Sequence, residues 1–233
     1  MTMTAFEERR GLLEAYFDRT AMDAWKQLTS DAPVSKIRAT VRAGRDRMHR
    51  LLLSWLPHDL AGLRVLDAGC GTGALAFKLA HRGARVIATD VSASLIEIAR
   101  DRMPPELPQD AIDFRCGDML HPAFGEVDHV VAMDSLIHYE TIDILAALVG
   151  LGRRTSRSML VTVAPRTPAL ALMHTVGRVF PRGNRAPAIV PADITRLCRR
   201  IAEEPALRDW QVAQTERIIN GFYTSHAIQL VRR

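Results

Sequence analysis

Cysteine is scarce in this chain: Cys70, Cys116 and Cys198 are three in 233 residues, an odd number that lacks the paired spacing of a zinc site. They read as reduced thiols in a cytosolic compartment, and no protein-bound metal is expected. No run of roughly 18 uncharged apolar residues occurs, so a membrane-spanning helix is excluded on length, while peripheral attachment stays open. The N-terminus carries Glu7, Glu8, Arg9 and Arg10 with no apolar stretch of signal-peptide length behind them. A cytoplasmic protein is expected. Internal repeats and low-complexity segments are also missing. What is present is ordinary for a globular chain: 48% hydrophobic residues, enough for one buried core, with a net charge of +5 that favours anionic partners.

Four segments follow from the patterning. Residues 1–60 read as a helical arm or lid, with Pro33 dividing two helices and Pro57 ending the second. Residues 61–164 alternate short apolar runs with helical pieces: Arg64 to Asp67, Arg85 to Thr89, Ile112 to Arg115, His129 to Met133 and Ser158 to Val163. That alternation predicts a mostly parallel sheet covered on both faces, with ligands bound beyond the carboxyl ends of its strands. Residues 165–191, rich in proline and basic residues, read as an insertion after the fifth strand that covers the substrate. Residues 192–233 supply a helix and an antiparallel hairpin turning at Asn220-Gly221, which makes a single α/β domain of seven strands.

The sharpest signal is Val65-Leu66-Asp67-Ala68-Gly69-Cys70-Gly71-Thr72-Gly73, which leaves a strand, turns tightly and enters a helix. Its glycines alternate, unlike the Gly-x-Gly-x-x-Gly of a dinucleotide site, and an acid stands two places before the first. Such a loop suits a ligand that carries an ammonium and a carboxylate and has no phosphate. S-adenosylmethionine is that mixture. Asp67 is assigned to its ammonium and Gly69, Cys70, Gly71 and Gly73 to close backbone contact. Asp90, followed by Val91, ends the second strand where an acid can accept ribose hydroxyls. Asp118 and Met119 follow the third strand, positioned for the adenine amino group and ring, and Asp134 follows the fourth. A lone aspartate at a strand end is commonly a cap or turn former. Three in this order are hard to produce by capping alone.

This arrangement resembles the class I methyltransferase family, which implies a Rossmann-like fold with an antiparallel last strand and S-adenosylhomocysteine as product. A base-gripping Asn-Pro-Pro-Tyr and a Pro-Cys nucleophile are both missing, which argues for a small-molecule acceptor and no nucleic-acid partner. Tyr16-Phe17-Asp18 with Trp25, Leu136-Ile137-His138-Tyr139, and Ala164-Pro165-Arg166-Thr167 leading to Val179-Phe180-Pro181 resemble, more narrowly, the magnesium-protoporphyrin IX O-methyltransferases of (bacterio)chlorophyll biosynthesis. That resemblance implies esterification of one propionate of Mg-protoporphyrin IX, with His138 catalytic, a magnesium chelatase subunit as partner and loose membrane association.

A propionate is ionised at neutral pH, so no base is needed to make the nucleophile. His138 would orient it, or else merely cap the helix beginning near Thr141. Relatives with Trp-x-x-Ile-Tyr carry a tyrosine where this sequence has Thr29, so Tyr16 or Tyr139 would have to supply any hydroxyl. Tyr16, Trp25, Thr29, Tyr139, Met173 and Phe180 are candidate contacts to the ring, and Arg166 a candidate for a propionate. Two alternatives remain on the sequence: O-methylation of another lipophilic acceptor such as a quinone precursor, and a non-catalytic module that binds porphyrin or donor.

Overall fold

The computed structural model describes residues 10–11, 13–14, 36–166 and 189–233. Seven strands form one sheet: β1 (Arg64–Ala68), β2 (Arg85–Asp90), β3 (Ile112–Cys116), β4 (Val127–Ala132), β5 (Thr155–Val163), β6 (Trp210–Asn220) and β7 (Tyr223–Arg232). All the strands expected from the sequence are present, with ends within three residues of those expected. Their order is β3-β2-β1-β4-β5-β7-β6, and β7 alone runs against the others. β1 therefore sits where the order reverses, so the crevice between β1 and β4 opens at the carboxyl rim.

The central strands are apolar without alternation because both their faces are covered. In β1 everything after Arg64 is buried, and in β2 everything after Arg85. Edge strand β6 is mostly exposed and carries Gln214, Glu216 and Arg217, polar side chains that discourage pairing with another chain.

Among the described residues, the helices that cover the sheet are α1 (Lys36–Ser54), α2 (Ala74–Ala80), α3 (Ala93–Asp101), α4 (Thr141–Gly152) and α5 (Ile194–Glu203). One apolar cluster joins Met48 and Leu52 of α1 and Leu75 and Leu79 of α2 to Val65, Val86 and Ala227 of the sheet. The opposite cluster joins Leu148 and Leu151 of α4 and Leu197 of α5 to Leu66, Val130, Met159, Val161 and Leu230. Within the segment expected to be an arm, α1 is thus a packed helix: Met48 and Leu52 have no exposed surface. Truncating such a side chain to alanine costs about 2–5 kcal/mol. α5 begins at Ile194 because Asp193 caps it, accepting from Arg196 N at 3.0 Å.

The 165–191 stretch has both its roots at the carboxyl rim. Ala192 N donates to Ala164 O at 2.8 Å, Arg166 N donates to Ala192 O at 2.9 Å, and Val190 N donates to Ile137 O at 2.8 Å. The chain leaves β5 and returns beside the residues that follow β4.

Candidate active site

β1 delivers Asp67 to the rim with 1% of its surface exposed. Its Oδ2 has no hydrogen-bond partner among the described residues. Burial, and then the nearby Asp90, raise its carboxyl to about 7, against the opposing pull of the Ala76 N–H and Arg45. A buried acid left unmatched is unfavourable until a cation or donor arrives, and an ammonium supplies both.

The loop after Asp67 is fixed by β2. Gly69 N and Cys70 N both donate to Thr89 O, at 2.8 and 2.9 Å. Asp90 reaches back, with Oδ2 accepting from Gly71 N at 2.9 Å and Oδ1 from Ser92 N at 3.0 Å. Its carboxylate is thus held at the rim beside Val91. Gly69 sits at φ +85°, and a Cβ there would stand 2.3 Å from the Cβ of Ser135. The glycine lets the loop close against the residue three places past the end of β4. Ser135 Oγ, also buried, has no hydrogen-bond partner among the described residues. Two unmatched polar atoms, Asp67 Oδ2 and Ser135 Oγ, therefore flank one glycine turn, which fits a ligand offering both donors and acceptors.

Asp118 follows β3 and accepts from Leu120 N at 2.8 Å and from Arg10 Nη1 at 2.5 Å. Leu13 is buried in the same apolar cluster as Met119 and Tyr139. Residues near the N-terminus thus reach the rim at the third strand.

Asp134 has its carboxylate committed to protein partners. Arg45 Nη1 donates to Oδ2 at 2.6 Å, Tyr223 Oη donates at 3.1 Å, and Ser225 Oγ donates at 3.2 Å. Asp134 N donates to Thr162 Oγ1 at 2.7 Å, and the residue adopts φ 55°. Burial, and then Asp134, push the Tyr223 phenol well above its ordinary range, so it stays protonated and donates.

His138 closes a short 3-10 turn, Leu136–His138, against the end of β5 and is buried. The N-cap of α4 is Glu140, whose side chain makes no capping bond. Tyr139 is buried beside His138, whereas Arg166 is exposed. Tyr16, Trp25, Thr29, Met173 and Phe180 lie outside the described residues. Arg45, Ser135, Tyr223 and Ser225 were not singled out from the sequence.

A family model for the C-terminus of magnesium-protoporphyrin IX methyltransferase matches residues 132–232, and a methyltransferase-domain model matches 65–156. The magnesium-protoporphyrin O-methyltransferase of Rhodobacter capsulatus is 47% identical, covering 96% of this chain and 97% of its own. The chain belongs to the magnesium-protoporphyrin O-methyltransferase family. A member from Synechocystis is 29% identical over the full length of both chains. The crystal structure of magnesium protoporphyrin IX methyltransferase from Synechocystis with S-adenosylhomocysteine bound has a TM-score of 0.83 at 26% identity, covering 96% of this chain and 100% of that one. As a magnesium-protoporphyrin O-methyltransferase family member, the chain is an S-adenosylmethionine-dependent enzyme with the class I fold.

Proposed function

We propose that this chain esterifies one propionate of Mg-protoporphyrin IX, giving the monomethyl ester and S-adenosylhomocysteine. The observation that carries this reading is the position of buried His138. It closes the short turn that follows β4, a segment in which Ser135 stands against Gly69 and Ile137 O accepts from Val190 N at the roots of the 165–191 stretch.

Asp67 would hold the methionine ammonium of S-adenosylmethionine, Asp90 the ribose hydroxyls, and Asp118 with Met119 the adenine. When bound, the donor supplies an electrophilic methyl. The chain's own task is placement and exclusion of water. A propionate is already anionic at neutral pH, so no residue need remove a proton. His138 orients the carboxylate through its imidazole, and its burial keeps competing water from that bond.

In the same reading the chain works in the cytoplasm, loosely attached to a membrane surface, and receives the ring from a magnesium chelatase subunit. Three exposed apolar side chains support the attachment: Ile37 at 53%, Ile219 at 56% and Phe222 at 60%. Arg47 donates to Ile219 O at 3.2 Å, and Asn220 and Phe222 bind Thr40, one helical turn from Ile37. An apolar patch beside arginines suits anionic headgroups.

The deciding experiment is incubation of the protein with methyl-labelled S-adenosylmethionine and Mg-protoporphyrin IX. One labelled ester per ring is expected. Absence of label in the ring at high enzyme concentration, with a quinone precursor labelled instead, overturns the reading.

A further inference from the structure

Asp118 stands two residues past β3, on backbone tied to the end of β2. Gly117 N donates to Asp90 O at 2.8 Å, and Thr89 Oγ1 donates to Gly117 O at 3.3 Å. The two carboxylate oxygens of Asp118 are held from different parts of the chain. Oδ1 accepts from Leu120 N, two residues on, and Oδ2 accepts from Arg10 Nη1, 108 residues away in the sequence. One bond on each oxygen stops the carboxylate from turning about its own axis. An acid that must meet one amino group in a set direction gains from being fixed in this way.

Stability alone does not account for the pair. The side chains of Arg10 and Asp118 keep 33% and 24% of their surface exposed, and ion pairs open to water contribute little to folding. The same exposure leaves the carboxylate within reach of a ligand. Leu13 follows Arg10 by three positions and both are helical, so the two share a face. Leu13 is buried in the cluster that contains Met119 and Tyr139. The segment is thus anchored by an apolar residue in the cluster of Met119 while its guanidinium reaches the acid one position earlier. Arg154, whose Nη2 donates to Met119 O at 3.3 Å, adds a second positive charge near the same acid.

Resting on the reading that Asp118 takes the adenine of the donor, we propose that Arg10 is a positioning residue for donor selection. It pins the carboxylate of Asp118 so that an oxygen faces the exocyclic amino group of the base. That group donates hydrogens and a carboxylate only accepts them, so the match is one of chemistry as well as shape. A purine with a carbonyl oxygen in place of the amino group would set acceptor against acceptor. Arg10 thereby favours an adenine nucleoside over its deaminated hypoxanthine counterpart, acting through Asp118 rather than on the ring.

The test measures, by calorimetry, the Kd of S-adenosylhomocysteine and of S-inosylhomocysteine on the full chain and its variants. The unmodified protein should prefer the adenine nucleoside at least tenfold, as expected for a hydrogen bond to a charged group. Arg10→Ala should lower that preference about fivefold while changing the Kd of S-inosylhomocysteine less than about twofold. Arg10→Lys, which keeps the charge without the planar fork, should recover part of the preference. Combined with Asp118→Ala, Arg10→Ala should have no further effect. Equal weakening of both nucleosides by Arg10→Ala, no weakening of either, or additive losses in the double variant would overturn the proposal. Should Arg10→Ala not fold, Arg10→Gln carries the same comparison. An unmodified protein that binds both nucleosides alike, or a preference that survives Asp118→Ala, removes the adenine role of Asp118 and the proposal with it. Methylation of Mg-protoporphyrin IX by the unmodified protein, measured separately, decides the acceptor reading whatever these affinities show.

Discussion

Arg45 Nη1 stands 2.6 Å from Asp134 Oδ2, joining α1 to the residue two places past the end of β4. Both side chains are largely buried, and Tyr223 and Ser225 complete the set around the carboxylate. Deleting one partner of a buried pair leaves the other charge uncompensated. Arg45→Met is therefore expected to cost about 3 kcal/mol in urea unfolding. Tyr223→Phe should cost about 1 kcal/mol, the usual net value of one hydrogen bond. A double-mutant cycle with Asp134→Asn checks the coupling, and strict additivity would show the pair to be energetically idle.

Asp67 makes donor affinity depend on pH. Its carboxyl is raised to about 7 in the donor-free protein, so below that the neutral form predominates and attracts an ammonium poorly. Affinity for S-adenosylhomocysteine is expected to rise with pH up to about 7 and level off above it, measured by calorimetry. Asp67→Asn should flatten that profile and weaken binding.

The same shift predicts a stability effect of opposite sign. A folded-state pKa above the unfolded one means the folded protein binds the extra proton, so stability falls as pH climbs from 3.8 to about 7. Asp67→Asn should accordingly raise the thermal midpoint of the donor-free protein at pH 8 relative to the unmodified chain. A lower midpoint at that pH would mean that the carboxylate is held by something other than the donor.

Two glycines separate backbone strain from crowding. Gly69 and Gly62 both have positive φ, at 85° and 75°, but a Cβ at Gly62 meets nothing within 4 Å whereas one at Gly69 strikes Ser135. Gly62→Ala should cost about 1–2 kcal/mol from strain alone, read as a shift in the denaturation midpoint. Gly69→Ala should cost more and abolish donor binding. Comparable losses at the two positions would contradict the contact.

His138→Ala is expected to lower kcat by at least a hundredfold while leaving the Kd for S-adenosylhomocysteine within about threefold. His138→Gln, which retains a donor, should recover part of the rate. Equal losses in rate and in donor affinity would assign His138 to the cradle.

The parts of this site legible in the sequence are those that local chemistry dictates. Val, Ile and Leu runs marked the strands, and Asp67, Asp90 and Asp118 could be ordered along the rim because each ends or follows one of them. Asn220-Gly221 likewise announced its own turn. Arg45 could not be picked out, because α1 also carries Arg38, Arg42, Arg47 and Arg50, and only three-dimensional packing brings it to a partner 89 residues away. Asp134 looked like a fourth acid of the same series, yet its side chain is drawn off by groups on α1 and β7.

The bonds joining Ala164, Arg166 and Ala192 stitch the two ends of the 165–191 stretch together outside the sheet. Everything between enters and leaves by one doorway. The chain-closure entropy of a piece of another length would differ by only ~0.6 kcal/mol for each doubling. A segment of different length can be fitted at that doorway while the glycine turn after β1 keeps its own bonds to β2.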